Sequence, residues 1–362
     1  MAYTTIDKPT DYFNTVLYTG NGTAIGSGGL AVTGVGFQPD WVWLKNRTTS
    51  DRSHQVYDVI RGVTKGLKTN SADAENTSSE RLTAFGSDGF TVGNNGDVNT
   101  SGNAHVSWNW KAGTSFTNDA SSTGIGTLDS TGSSNQTAGF SIVSYTSNGS
   151  SSQSVAHNLG GVPEMIISKN RDSGSASYNY WTVYHHSLAT ANDKKLKLNT
   201  SDAVSTTNEW GDTDPTTTVY SLHTSGDGTT NHSTDKIISY CFRSIKGFSK
   251  FGKYVGNAST NGSYIHLGFK PSLVMVKKSA GTGSWAIQDN KRTPFNVQKK
   301  SLFANLSDAE TDSTNDAVDF LSNGFKFRSD TANYNTNGDT YIYMAFAENP
   351  FTTSTGIPTT AR

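Results

Sequence analysis

The sequence predicts an all-β protein built from three tandem antiparallel β-sandwich (jelly-roll) domains. Three observations carry this. Short runs rich in aromatic and β-branched residues recur along the 362-residue chain, separated by Gly, Asn, Asp and Ser clusters. An ordered set of landmarks appears three times. No amphipathic helix of three turns is found, and the best short candidate is 71–81.

The landmarks repeat with a period of about 110–120 residues, too long for a solenoid unit. YTGNG at 18–22 is matched by YTSNG at 145–149 and YVGNA at 254–258. GFQPDWVWLKNR at 36–47 is matched by GGVPEMIISKNR at 160–171 and GFKPSLVMVKKS at 268–279. HQVYDVIRG at 54–62 corresponds to WTVYHHSLA at 181–189 and WAIQDNKRT at 285–293. NSADA at 70–74 corresponds to NTSDA at 199–203 and NLSDA at 305–309. Each copy closes on an aromatic strand: HVSWNW, KIISYCF or TYIYMAF. The expected layout is an N-terminal arm at 1–10, copies at 11–112, 138–246 and 247–350, and a C-terminal tail at 351–362. A Ser/Thr/Gly-rich linker is expected at 113–137. Each copy is long enough for its own core.

The elements follow from local chemistry. The Gly-x-x-Pro motif reads as a tight turn feeding a central strand, with Lys45, Lys169 and Lys277 at the strand exit. Thr340 to Phe346 alternates Tyr341, Tyr343 and Ala345 with Ile342, Met344 and Phe346, the period-2 pattern of a strand. The SDG, SNG and TNG tripeptides supply the positive-φ residues of hairpin turns.

Composition excludes several functions. A formal net charge of −1 argues against a nucleic-acid binder. No apolar run approaches the ~18 residues of a membrane span, so no membrane insertion is expected. The opening MAYTTIDKPTDYF lacks the basic and apolar regions of a signal peptide. The single cysteine, Cys241, allows neither an internal disulfide nor a cysteine zinc site, as suits synthesis in a reducing cytoplasm.

Candidate chemistry is sparse. Asp73, Asp202, Asp308, Asp88 and Asn323 recur in loops without the Asp-x-Asp-x-Asp-Gly series of a calcium loop, so they read as turn formers, and no metal is expected. The six Glu residues form no paired-carboxylate motif of a glycosidase. The histidines, including His185 and His186, lack zinc-helix spacing, and no Gly-x-Ser-x-Gly elbow is present. No catalytic residue and no cofactor are expected. Trp41, Trp43, Trp108 and Trp110 alternate within two strands, so each pair shares a face. Core burial is the first reading of these four. A stacking platform for glycan is the second, which makes them the candidate binding residues. The tail PFTTSTGIPTTAR reads as disordered or as a subunit-to-subunit arm.

The landmarks YTGNG, GFQPDWVWLKNR, YDVIRGVTKGLKTNSADAE, LTAFGSDGFTVG, FLSNGF and YIYMAFAENPF together resemble a repeat family of marine bacteriophage tail-fibre-like and virion structural proteins. The resemblance covers about 11–351. The second copy departs from it, lacking the Phe-x-Ser-Asp-Gly-Phe turn. It implies concanavalin- or lectin-like jelly rolls, a location on the virion surface, other virion proteins as partners and homo-oligomerisation, with a trimer the expected state. It carries over no catalytic residue. The function expected on this basis is a non-enzymatic tail-fibre or spike component contacting host cell-surface polysaccharide. A capsid decoration protein is the alternative, and a polysaccharide-degrading enzyme is disfavoured by the carboxylate census.

Overall fold

The computed structural model describes residues 3–172, 179–224 and 229–359. The first two residues of the N-terminal arm and the last three of the tail lie outside them. The chain is 42% strand and 6% helix, in antiparallel sheets, as the sequence predicts. Helices are one-turn pieces such as Gly96–Asn99 and Ala120–Thr123. The best short helix candidate, 71–81, is not helical. That stretch holds a loop and the strand Asn76–Thr77.

Copies one and three share a topology. In copy one a six-stranded sheet runs in the order Phe13–Thr19, Ala104–Trp110, Trp41–Asn46, Gln55–Asp58, Lys65–Lys68, Asn76–Thr77. A three-stranded sheet, Leu30–Thr33, Gly89–Val92 and Leu82–Gly86, covers it. In copy three the corresponding large sheet is Ser249–Val255, Thr340–Pro350, Phe269–Lys278, Ala286–Asp289, Lys300–Phe303, Thr311–Asp312. Its small sheet is Tyr264–His266, Gly324–Phe327 and Val318–Leu321.

Copy two keeps the six-strand run, from Phe140–Thr146 through Lys236–Phe242, Met165–Asn170, Trp181–His185 and Lys194–Lys197 to Ser205–Thr206. Its small sheet is a two-stranded ribbon among the described residues, Gln153–Ala156 with Val219–Leu222. The strand it lacks is one arm of the hairpin that the Phe-x-Ser-Asp-Gly-Phe turn forms elsewhere.

The 113–137 segment is not a linker. Thr114–Asn118 and Ser130–Asn135 extend the copy-two sheet, the latter pairing residue for residue with Phe140–Thr146. Its Ser and Thr residues read as loop by composition but fit a pleated surface. Gly132 is required there, because a Cβ would sit 2.5 Å from the Phe116 ring that lies over it.

The large sheets are buried on both faces. Trp41 and Trp43 enter one cluster while Val42 and Leu44 enter another. Likewise Ile342, Met344 and Phe346 part from Tyr341, Tyr343 and Ala345. One row packs against the copy's own small sheet. The other enters a cluster that runs through all three copies, from Trp41 and Trp108 to Tyr240 and Phe242 to Met275 and Phe346. The separate cores expected for the copies are therefore joined at the centre.

The ends of the chain are tied to this body. Ile6 is buried in the shared cluster, and the Tyr3 hydroxyl donates to the Gly268 carbonyl at 2.6 Å. Asp7 accepts from the Ser354 backbone and hydroxyl at 2.6 and 2.5 Å. The described part of the tail turns back on itself, with Thr352 bridged to Pro358, instead of extending as an arm.

Candidate functional site: the joints between copies

The four candidate tryptophans are 1%, 2%, 0% and 2% exposed in the order Trp41, Trp43, Trp108, Trp110. No sugar can stack on them. Both pairs fill the shared core. Trp41 lies opposite Trp110 and Trp43 opposite Trp108 on paired strands, so all four point the same way. Trp41 stacks on Tyr240 of copy two at 4.3 Å between ring centres, and Trp110 meets Phe346 of copy three at 5.7 Å. The hollow beside them, lined also by Leu273, Met275, Ile287 and Met344, has a volume of about 10 Å³. That is at or below the ~10–15 Å³ needed for one water, so it is a packing gap.

What the tryptophans mark is a contact that recurs at each joint. Copy two sits on copy one, copy three on copy two, and copy one on copy three. Trp181 Nε1 donates to the Lys68 carbonyl at 2.8 Å, and Trp285 Nε1 donates to the Lys197 carbonyl at 2.9 Å. His54 takes the equivalent place beside the Phe303 carbonyl. The backbone N–H of Glu75 donates to the Arg171 carbonyl (2.9 Å), that of Val204 to the Ser279 carbonyl (3.0 Å) and that of Glu310 to the Arg47 carbonyl (2.9 Å). Three equivalent contacts in cyclic order make a closed ring. The Asn of each Asn-x-x-Asp motif serves it from within its own copy. Asn70, Asn199 and Asn305 accept from the backbone N–H of His54, Trp181 and Trp285, holding the strand that carries the joint residue.

The lysines at the strand exits complete each joint. Lys45, Lys169 and Lys277 are buried and point to the shared-core side. Lys45 Nζ donates to the Ser307 carbonyl of copy three, Lys169 Nζ to Ala72 of copy one and Lys277 Nζ to Ser201 of copy two, at 3.3, 3.4 and 3.4 Å. Each also bonds the carbonyl of its own next residue. Burial disfavours the ammonium. It lowers Lys45 and Lys277 to about 8 and Lys169 to about 7, partly opposed by carboxylates such as Asp97 and Asp308 beside Lys45, Asp73 beside Lys169 and Asp202 beside Lys277.

The joints differ in chemistry. Between copies one and two, Glu75 takes Arg171 at 3.0 Å and Arg61 at 3.2 Å, while Arg61 Nε pairs with Asp58 at 2.5 Å and the Tyr240 hydroxyl donates to Asp58 at 2.7 Å. Between copies three and one, Glu310 takes Arg47 at 2.8 Å and Arg292 at 3.1 Å, Arg292 pairs with Asp289 at 2.6 Å, and Trp108 Nε1 donates to Asp289 at 3.1 Å. Between copies two and three the same positions hold His185, Leu188, Val204, Ser279 and Met344. His185 Nε2 donates to the Tyr343 carbonyl at 3.2 Å there. Every charged or donating member is exchanged together, which leaves no orphaned charge. This role of the lysines, arginines and glutamates escaped the sequence reading. Aligning the three copies column by column at 61/188/292 and 75/204/310 would have exposed it.

Other residues singled out in the sequence have structural partners. Asp88 accepts from the Gly34 and Gly36 backbones at 3.0 and 2.6 Å, the turn role expected of it. Glu80 accepts from Ile25 and Asn94, and Glu209, fully buried, pairs with Lys195 at 2.9 Å. His105 and His157 are pulled down to about 4 and His185 to about 3, by burial first. Among the described residues no group of three or more His, Cys, Asp or Glu could hold a metal ion. Two open grooves lie on copy two. One, of about 570 Å³, is floored by Pro163 and Tyr184 and rimmed by Glu164, His186 and Asp214. The other, of about 390 Å³, is lined by Ser130, Thr131, Ser144, Asp129, Arg171 and Lys236.

Fold and joints together define a tandem-repeat all-β protein whose copies are closed into a ring by one another's side chains. The chain belongs to the family described as "Domain of unknown function (DUF7483)", whose model matches residues 8–350 and so runs across all three copies. No curated protein and no solved structure matches it.

Proposed function

We propose that this chain is a non-enzymatic structural protein of a bacteriophage particle, displayed on the virion surface as a compact ring. The observation that carries this reading is the closure of the three copies on one another through buried side chains at each joint. A buried lysine at every joint, with charge pairs at two joints and an indole contact at two, is the chemistry of a rigid building block. The ring favours a capsid decoration protein. Its described ends are folded down onto the body, and it supplies threefold contacts within one chain, so the trimer expected from the resemblance is not required. A tail-fibre or spike component contacting host polysaccharide is the second reading. It is favoured by the hydroxyl-rich groove around Ser130, Thr131 and Ser144, which offers hydrogen-bonding groups to a sugar, whereas the buried tryptophans no longer support it.

Immunogold electron microscopy of intact particles tests both, with antibodies raised against several surface loops. Label over the head is expected. Label confined to the tail would replace decoration by host attachment. Unlabelled particles, in preparations where the purified chain is labelled, would overturn the virion reading.

A further inference from the structure

We propose that Lys169 and Asn179 form an intramolecular isopeptide bond, with loss of one ammonia, so that the mature chain carries a single covalent crosslink between neighbouring strands of copy two. Lys169 ends the strand Met165–Asn170, and Asn179 lies just before its antiparallel partner Trp181–His185. Both side chains are fully buried. Lys169 Nζ lies 2.5 Å from Asn179 Oδ1 and 2.9 Å from the Asn179 backbone carbonyl. With a C=O bond of about 1.23 Å, Nζ is then at most about 3.7 Å from the amide carbon, close to the ~3–3.5 Å of a near-attack arrangement.

Two further features favour reaction over a simple hydrogen bond. The Asn179 amide nitrogen is buried with no hydrogen-bond partner, an arrangement that costs free energy and that departure of this nitrogen would relieve. Burial also holds a large share of Lys169 in the neutral, nucleophilic form near neutral pH. Lys45 and Lys277 share the burial but not the target. The residues equivalent to Asn179 are Arg52 and Gly283, which carry no amide.

The step balances without an oxidant or co-reactant. The Nζ lone pair attacks the Asn179 side-chain carbon. The bond from that carbon to Nδ2 breaks, and the departing nitrogen takes one Nζ proton and leaves as ammonia. The product is a secondary amide from Nζ to the former Asn179 side chain. Exclusion of water at the joint protects that amide from hydrolysis.

The test is intact-mass spectrometry of the denatured full chain after incubation at pH 8, followed by peptide mapping. The expected result is a mass lower than the sequence mass by one ammonia, and a branched peptide joining 169 to 179. Lys169→Arg and Asn179→Ala should each give the mass expected from their own sequences, and the branched peptide of the native chain assigns the bond independently of how well either variant folds. An unshifted mass for the native sequence would overturn the proposal. So would an ammonia loss that maps to an Asn-Gly pair such as Asn21-Gly22 and makes the chain cleavable there by hydroxylamine, since that is the behaviour of a succinimide.

Discussion

Replacing Glu310 by valine, the residue that copy two carries at this place, should destabilise the ring by about 3 kcal/mol. Glu310 is almost buried and holds two guanidinium groups, Arg47 at 2.8 Å and Arg292 at 3.1 Å. Removing one partner of a buried pair costs about 3–5 kcal/mol because a charge is left without compensation. The lower end applies for two reasons. Arg292 keeps Asp289 at 2.6 Å, and the Arg47 side chain is 13% exposed, so water can reach it. Adding Arg47→Ser, the residue that copy three carries at the matching place (Ser279) in its joint with copy two, removes the charge left worse off and should recover about 1–2 kcal/mol, within the usual range of coupling between contacting residues. The reverse exchange is the control. Val204→Glu should destabilise, and Ser279→Arg should rescue it. Urea unfolding followed by tryptophan fluorescence reads all four, since the indoles lie in the shared core. If Glu310→Val with Arg47→Ser is no more stable than Glu310→Val alone, the joint does not work by charge compensation and the reasoning fails.

Three further outcomes are expected. Burial lowers His105, His157 and His185 to about 4, 4 and 3, below the ordinary 6.5. Their contribution is therefore whole above about pH 6.5 and lost as pH falls toward 3–4, and circular dichroism against pH should show the fold failing in that window. Lys45 and Lys277, lowered from 10.5 to about 8, bind fewer protons folded than unfolded between those values. The urea midpoint should rise from pH 8 toward pH 10, and less steeply with Lys45→Met and Lys277→Met in place. Cys241 is buried and its thiol is pushed well above the ordinary value by desolvation, so a thiol reagent should leave it unmodified until denaturant is added.

Much of the fold was legible because each copy is punctuated by its own turns. The Gly-x-x-Pro entry, the aromatic closing strand and the Asp88 turn all stand where local chemistry placed them. What was not legible depends on partners far away in sequence. The row of Trp41 and Trp43 looks like one face of an amphipathic strand. Nothing local says that the opposite row, Val42 and Leu44, is covered as well, or that the first row meets Tyr240 and Phe346. Lys45 looks like a solvated strand exit, and only the Ser307 carbonyl, supplied by another copy, makes it a buried joint. The 113–137 segment misled because Ser and Thr favour loops by composition while Phe116, Gly132 and the neighbouring Ile142 make it a sheet. The joint was readable in principle, from Arg61, Leu188 and Arg292 beside Glu75, Val204 and Glu310.

Ring closure also sets a schedule for biosynthesis. Arg47 finds its carboxylate in Glu310, 263 residues later, and Lys45 finds the Ser307 carbonyl 262 residues later. At ~5–20 residues per second, copy one waits roughly 13–50 s on the ribosome with the part of its Trp-rich inner face that meets copy three uncovered. The first copy made is thus the last to be finished. The nascent chain spends that interval as an incomplete ring, open to capture by chaperones or by the inner face of a neighbouring chain.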